Sequence, residues 1–126
     1  MPYEYAIDPL ARRATVRAFG PSSFEETRRA AEALIAEPAY DPAFAILIDG
    51  RDLEYLASYQ DAVQFRDMFA LLRASFRGPL AIVVHGTARY GVSRMIATMA
   101  DLVGVRMEAF RTIPEAEAWL AEQGGA

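Results

Sequence analysis

The chain has no cysteine, no lysine and a single histidine, His85. Without cysteine there is no thiol nucleophile, no disulfide and no thiolate metal site, and the sequence is silent on redox compartment. Without lysine there is no Schiff-base chemistry, no lysine general base and no P-loop lysine. One histidine cannot build a histidine metal cluster within one chain, so no metal centre and no cofactor are expected. Nor does any strand-like run lead into a Gly-x-Ser-x-Gly elbow or a Gly-x-Gly-x-x-Gly fingerprint. Excess positive charge is also missing: 13 basic residues, all arginine, face 17 acidic ones, for a net charge of −4. A nucleic-acid binder held by phosphate contacts needs a basic face, so no nucleic-acid partner is expected. No apolar run approaches the ~18 residues of a membrane span. The start, MPYEYAID, lacks the basic and apolar regions of a secretory signal. No transmembrane segment and a cytoplasmic location are the expectations.

What is present reads as globular. The 126 residues are 53% hydrophobic and 24% charged, the size and balance of one domain with a core of its own. Its organising stretch is Leu80 to Phe110. The apolar run Leu80-Ala81-Ile82-Val83-Val84 ends in His85-Gly86-Thr87; an amphipathic helix pattern and a second strand-like run, Val105 to Phe110, follow. Strand, crossover helix and strand make a βαβ unit, and a continuous apolar run suits a strand buried on both faces.

The same signals recur upstream and downstream. Tyr3 to Ile7 and Ala14 to Phe19 alternate weakly about Asp8-Pro9, as in a hairpin. Ser22 and Ser23 stand three residues before Glu25 and Glu26, two overlapping capping-box registers for a helix with Phe24, Ala31, Leu34 and Ile35 on its inner face. Pro38 ends that helix. Phe44 to Ile48 is a second apolar run, ending in Asp49-Gly50-Arg51-Asp52. A helix starting near Ser58, with Asp61 three residues on, carries Phe65, Met68, Phe69, Leu72 and Phe76 at helical spacing before Gly78-Pro79. The helix after Thr87 buries Val92, Met95, Ile96, Met99 and Val103, with Gly104 as its C′ residue. Thr112-Ile113-Pro114-Glu115 opens a last helix, Pro114 to Glu122, that lays Ala116, Trp119 and Leu120 on the sheet; Gly124-Gly125-Ala126 is expected to fray. The order is ββαβαβαβα: an α/β fold with an open mixed sheet of five strands, an N-terminal hairpin followed by parallel βα units with right-handed crossovers, flanked by four helices.

With these elements in order, the chain resembles the STAS family, whose fold is that of the SpoIIAA-like anti-sigma-factor antagonists. It is most similar to the uncharacterised bacterial branch grouped with STAS and CRAL-TRIO lipid-binding domains. The phrases that carry the likeness are Ile46-Leu47-Ile48-Asp49-Gly50-Arg51, Ala81-Ile82-Val83-Val84, Arg89-Tyr90-Gly91 with Arg94-Met95, and Ala109-Phe110-Arg111 with Glu115-Ala116 and Trp119-Leu120. They span nearly the full length. The resemblance implies strands laid roughly in chain order and a protein without catalytic activity. It also implies a phosphorylatable serine at the start of the helix after the third strand. Ser58 falls there, but in Leu56-Ala57-Ser58-Tyr59-Gln60 rather than the family's Asp-Ser-Ser-Gly type motif, and a plain helix cap is the favoured account of it.

Ligands of parallel sheets sit outside the carboxyl ends of the strands. That edge gathers Gly20 to Ser22, Asp49 to Asp52, His85 to Thr87 and Arg111-Thr112, with helix N-termini capped by Ser22 or Ser23, Ser58, Thr87 and Thr112. Dipoles and free N–H groups favour anions there, and Arg51, Arg89 and Arg111 stand beside them. Against an anion pocket stands the pairing of these arginines with Asp49, Asp52 and Glu115. The expected ligand is a small lipophilic or anionic molecule, its head group on Arg51 and Arg89 and its apolar part on Tyr59, Tyr90 and Met68, with Tyr55 at the mouth and Asp49 and His85 as further ligand-binding residues. The alternatives are a protein partner docking beside Ser58, and a small hydrolase or isomerase pairing Asp49 with His85 as base and acid. A homodimer across the hairpin edge, with Tyr3 and Tyr5 on an unprotected strand, is a further arrangement to test.

Overall fold

The computed structural model describes residues 2–124. Strand β1 (Tyr3–Asp8) and strand β2 (Arg13–Gly20) form the expected hairpin, antiparallel, with Tyr5 opposite Val16. Helix α1 (Phe24–Ala36), strand β3 (Ala45–Leu53), helix α2 (Tyr59–Leu72), strand β4 (Leu80–Val84), helix α3 (Thr87–Leu102), strand β5 (Met107–Phe110) and helix α4 (Ile113–Gly124) follow. The sheet runs β1-β2-β3-β4-β5 in chain order, and every pair after the hairpin is parallel. Helices α1, α2 and α3 pack on one face of this sheet and α4 covers the other. Being covered on both faces, β3 and β4 bury neighbours of both parities: Ile46 with Leu47, and Val83 with Val84.

Several boundaries differ from expectation for local reasons. The strand does not end at Asp49 to Asp52: β3 keeps pairing with β2 to Gly20↔Leu53, and an irregularity between Arg17 and Phe19 absorbs one extra β3 residue. Helix α2 stops at Leu72, and a 3-10 turn at Arg73–Ser75 carries the chain on to the buried Phe76. Thr87 is not a cap. The N-cap of α3 is Gly86, whose φ of +91° turns the chain from β4 into the helix, with no side-chain hydrogen bond to the cap. The last strand starts at Met107 rather than Val105 because the Val105 N–H donates to the Ala100 carbonyl while the Gly104 N–H donates to that of Asp101. This is a Schellman ending, and the φ of +96° at Gly104 permits it.

The other helix starts agree with the sequence. Of the two serine registers for α1, Ser23 takes the cap, accepting from the Glu26 N–H at 3.2 Å. Ser58 and Asp61 form a reciprocal capping box on α2. Thr112 accepts from the Glu115 N–H at 3.3 Å. Ala116, Trp119 and Leu120 of α4 pack on the sheet as expected, while the expected fraying at Gly125 and Ala126 lies outside the described residues. Among the described residues no helix is long and apolar enough to cross a membrane.

Candidate functional site

Small side chains gather on the inner side of α1–α3. Ala18 of β2, Ala30 and Ala31 of α1, Ala57 before α2, and Ser93 of α3 all face one space between the helices and the sheet. Bulkier residues at these positions would fill it. Instead they leave an apolar cavity of about 140 Å³. Its floor is the row of alternating strand residues that turn to this face, Ile46 and Ile48 of β3 with Leu80, Ile82 and Val84 of β4. Its roof includes Leu34, Phe65, Met68 and Ile96. The void lies within the main core, where native packing normally leaves little room.

Ser93 aside, the polar groups around this space are turned outward, with one exception. Tyr3, Tyr5 and Tyr55 line it with their rings. Their hydroxyls are engaged elsewhere: Tyr3 with Ser22 at 2.9 Å and with Thr27, Tyr5 donating to Glu37 at 2.7 Å, and Tyr55 donating to Asp61 at 2.8 Å. Burial and then the Asp61 hydrogen bond push the Tyr55 phenol well above its ordinary pKa, and the same hydrogen bond holds Asp61 below the usual carboxylate value.

The exception is Arg89, the charged side chain among the residues lining the cavity. It projects from the first turn of α3, and its Nη2 donates to the Glu54 carbonyl at 3.2 Å, in the segment between β3 and α2. Its Nε is buried and has no acceptor. No carboxylate of the described residues stands within ion-pair distance of it. An orphaned buried donor costs about 1–3 kcal/mol. Arg13, near the opposite end of the sheet, also leaves Nε unpaired, but its guanidinium has the Glu117 carboxylate at 2.5 Å. Ser93, 9% exposed, lies one turn beyond Arg89 on the same side of α3. Leu56 also lines the cavity yet is 50% exposed, which puts the opening between the residues 54–57 and the start of α3.

The sequence-predicted residues therefore divide. Arg89 and Met68 meet at the cavity, together with Tyr55. Arg51 does not join them: its Nε and Nη2 clamp the two oxygens of Asp49, each at 2.8 Å. That pairing also holds the Asp49 carboxyl below its ordinary pKa, which leaves a weak base at neutral pH. Asp49 is in register with Val83, whose side chain packs toward α4, so it points away from the cavity. His85 is exposed between β4 and α3, and no hydrogen bond or ion pair joins it to Asp49 among the described residues. Tyr59, 69% exposed, opens α2 outside the cavity. Tyr90 packs instead beneath the Arg111 guanidinium at 4.3 Å, with Arg94 at 5.9 Å. Ser58 is an exposed helix cap.

Sequence reasoning missed Ala30 and Ser93, and it read Ala31 and Leu34 as core without a cavity beside them. The available signal was the repeated choice of alanine at inward positions of α1 and β2, where a filled core would carry larger side chains.

This architecture has a solved counterpart. An uncharacterised protein of the DUF3478 family from Shewanella loihica PV-4, described as having a SpoIIAA-like fold, superposes with a TM-score of 0.60 over 94% of this chain and 93% of its own. The chain has a SpoIIAA-like fold. At 19% identity the likeness establishes the fold, and the five-stranded sheet in chain order is what the sequence resemblance implied. No protein-family model matches the sequence, and no curated protein matches it.

Proposed function

We propose that this SpoIIAA-like chain is a single-domain, cytoplasmic, non-enzymatic binding module for a small lipophilic ligand held between the sheet and helices α1–α3. The observation that carries the reading is the apolar cavity of about 140 Å³ whose one charged lining side chain, Arg89, has a buried Nε with no acceptor. An apolar void inside a core forfeits contacts that a ligand restores. Ligand pockets are typically apolar with a few oriented polar groups. The ligand's polar end belongs at Arg89 and its apolar body beside Met68.

Native mass spectrometry of gently purified protein, followed by denaturing extraction, tests the reading. A co-purifying apolar or amphipathic molecule of small mass supports it. A bare protein that is not stabilised by any member of a panel of small lipophilic compounds contradicts it.

One observation favours a second reading, a protein-interaction surface. Leu56 and Tyr59, 50% and 69% exposed, flank the exposed cap Ser58. Phosphate on a residue at a helix N-terminus meets a favourable dipole. Peptide mass mapping after incubation with cell extract and ATP checks for it; an unmodified Ser58 in every condition counts against the switch.

A further inference from the structure

The cavity carries a specific demand on the head group. Arg89 supplies a positive guanidinium whose buried Nε has no acceptor, and the Glu54 carbonyl takes only one of its two Nη2 hydrogens. A carboxylate matches the planar fork of a guanidinium with two parallel hydrogen bonds. Ser93 stands four residues on, buried and lining the same space, and its hydroxyl is a donor. Among the described residues no second cationic side chain lines the cavity. One guanidinium and one hydroxyl suit a single negative charge better than the dianion of a phosphate monoester. The size also sets a limit: a dry apolar cavity of about 150 Å³ takes a benzene-sized guest, so the space here holds about six carbon atoms.

We propose that the ligand is a compact lipophilic monocarboxylic acid, its carboxylate on the Arg89 guanidinium and the Ser93 hydroxyl and its short apolar body in the cavity. This rests on the cavity being the ligand site. Recognition is by charge-assisted hydrogen bonding at the mouth and by contact with Met68, Ile82 and Ile96 inside.

Hexanoate and hexan-1-ol, which share a six-carbon skeleton, separate the two layers. Their affinities are measured by calorimetry on the parent chain, Arg89→Gln and Ser93→Ala, after melting curves show each variant folded. The expected result is hexanoate tighter than hexan-1-ol by on the order of tenfold, the worth of one hydrogen bond to a charged group. That preference is lost in Arg89→Gln and reduced in Ser93→Ala, with hexan-1-ol affinity unchanged in both. Should Arg89→Gln fail to fold, Ser93→Ala decides alone: an undiminished preference overturns the assignment. Equal binding of acid and alcohol by the parent, or a preference that survives Arg89→Gln, overturns the carboxylate assignment while leaving the cavity reading intact. Binding of neither compound overturns both.

Discussion

Leu34 and Leu47 are chemically identical and almost equally buried, at 3% and 4% exposure, yet they face different surroundings. Leu34, on α1, lines the cavity. Leu47, on β3, packs in the separate cluster against α4 with Ala81, Val83 and Leu120. Truncation to alanine removes the same three carbons from each. The transfer part is then about 2.4 kcal/mol for both, at ~0.8 kcal/mol per buried methylene. Loss of packing contacts adds up to about 2.5 kcal/mol more where the site is filled on all sides. Leu47 is so filled, whereas Leu34 already lacks partners on its cavity side. Leu34→Ala is expected to cost about 3 kcal/mol and Leu47→Ala about 4–5 kcal/mol in urea unfolding. Backbone propensity adds to the cost at the strand position, so a second readout removes that confound. Benzene at saturation should raise the Leu34→Ala midpoint more than the parent's, because the enlarged space gains contacts. It should raise Leu47→Ala no more than the parent. A Leu34→Ala cost equal to that of Leu47→Ala, with no benzene effect on any of the three proteins, would refute the reasoning, since the core would then be filled on both faces.

The remaining expectations concern the frame around the cavity. Tyr55→Phe removes the donor to Asp61 and should cost about 1 kcal/mol at pH 7 by denaturant unfolding. Because the folded-state pKa of Asp61 is lowered, its contribution is fully present above the ordinary carboxylate value and disappears as pH falls through the folded-state pKa. The gap between parent and Tyr55→Phe should therefore narrow in acid, and a gap constant to pH 2 would contradict the assignment. Ser58→Ala breaks the reciprocal cap on α2 and should cost about 1 kcal/mol; an unchanged melting temperature would remove the cap from the account. Two glycines should respond with opposite signs. A Cβ at Gly78 would meet the Phe44 carbonyl oxygen at 2.2 Å, a backbone clash, so Gly78→Ala should destabilise by about 3 kcal/mol or more. A Cβ at Gly91 meets nothing within 4 Å inside α3, so Gly91→Ala should stabilise by about 0.5–1 kcal/mol in a thermal melt.

Patterning alone was enough for the strand and helix order, because the apolar runs of β3 and β4 and the helical spacing of Phe65, Met68 and Phe69 each have one economical reading. The capping serines and Thr112 were legible for the same reason: a side-chain oxygen three residues before an acid has a local job. The site was less legible. Sequence adjacency at the strand ends placed Arg51 beside Arg89, but the strand continues through Asp49 and Arg51, and the two residues clamp each other across a distance of two positions. Tyr90 was drawn to the same pocket by its neighbour Arg89, whereas successive helical residues point about 100° apart, and Tyr90 stacks under Arg111. The cavity itself depends on what five small residues from four segments fail to fill, and no local pattern reports a volume.

The central claim is an unfilled apolar space on one face of the sheet that accepts a guest. Xenon, which enters dry apolar cavities, tests it without assuming any head group. Methyl NMR spectra of the labelled protein under xenon pressure should show shifts at Met68, Ile46, Ile82 and Ile96, which line the cavity, and none at Leu47 or Ala116, which pack against α4's side. Unmoved methyls on both faces, or equal shifts on both, would contradict a cavity confined between the sheet and helices α1–α3.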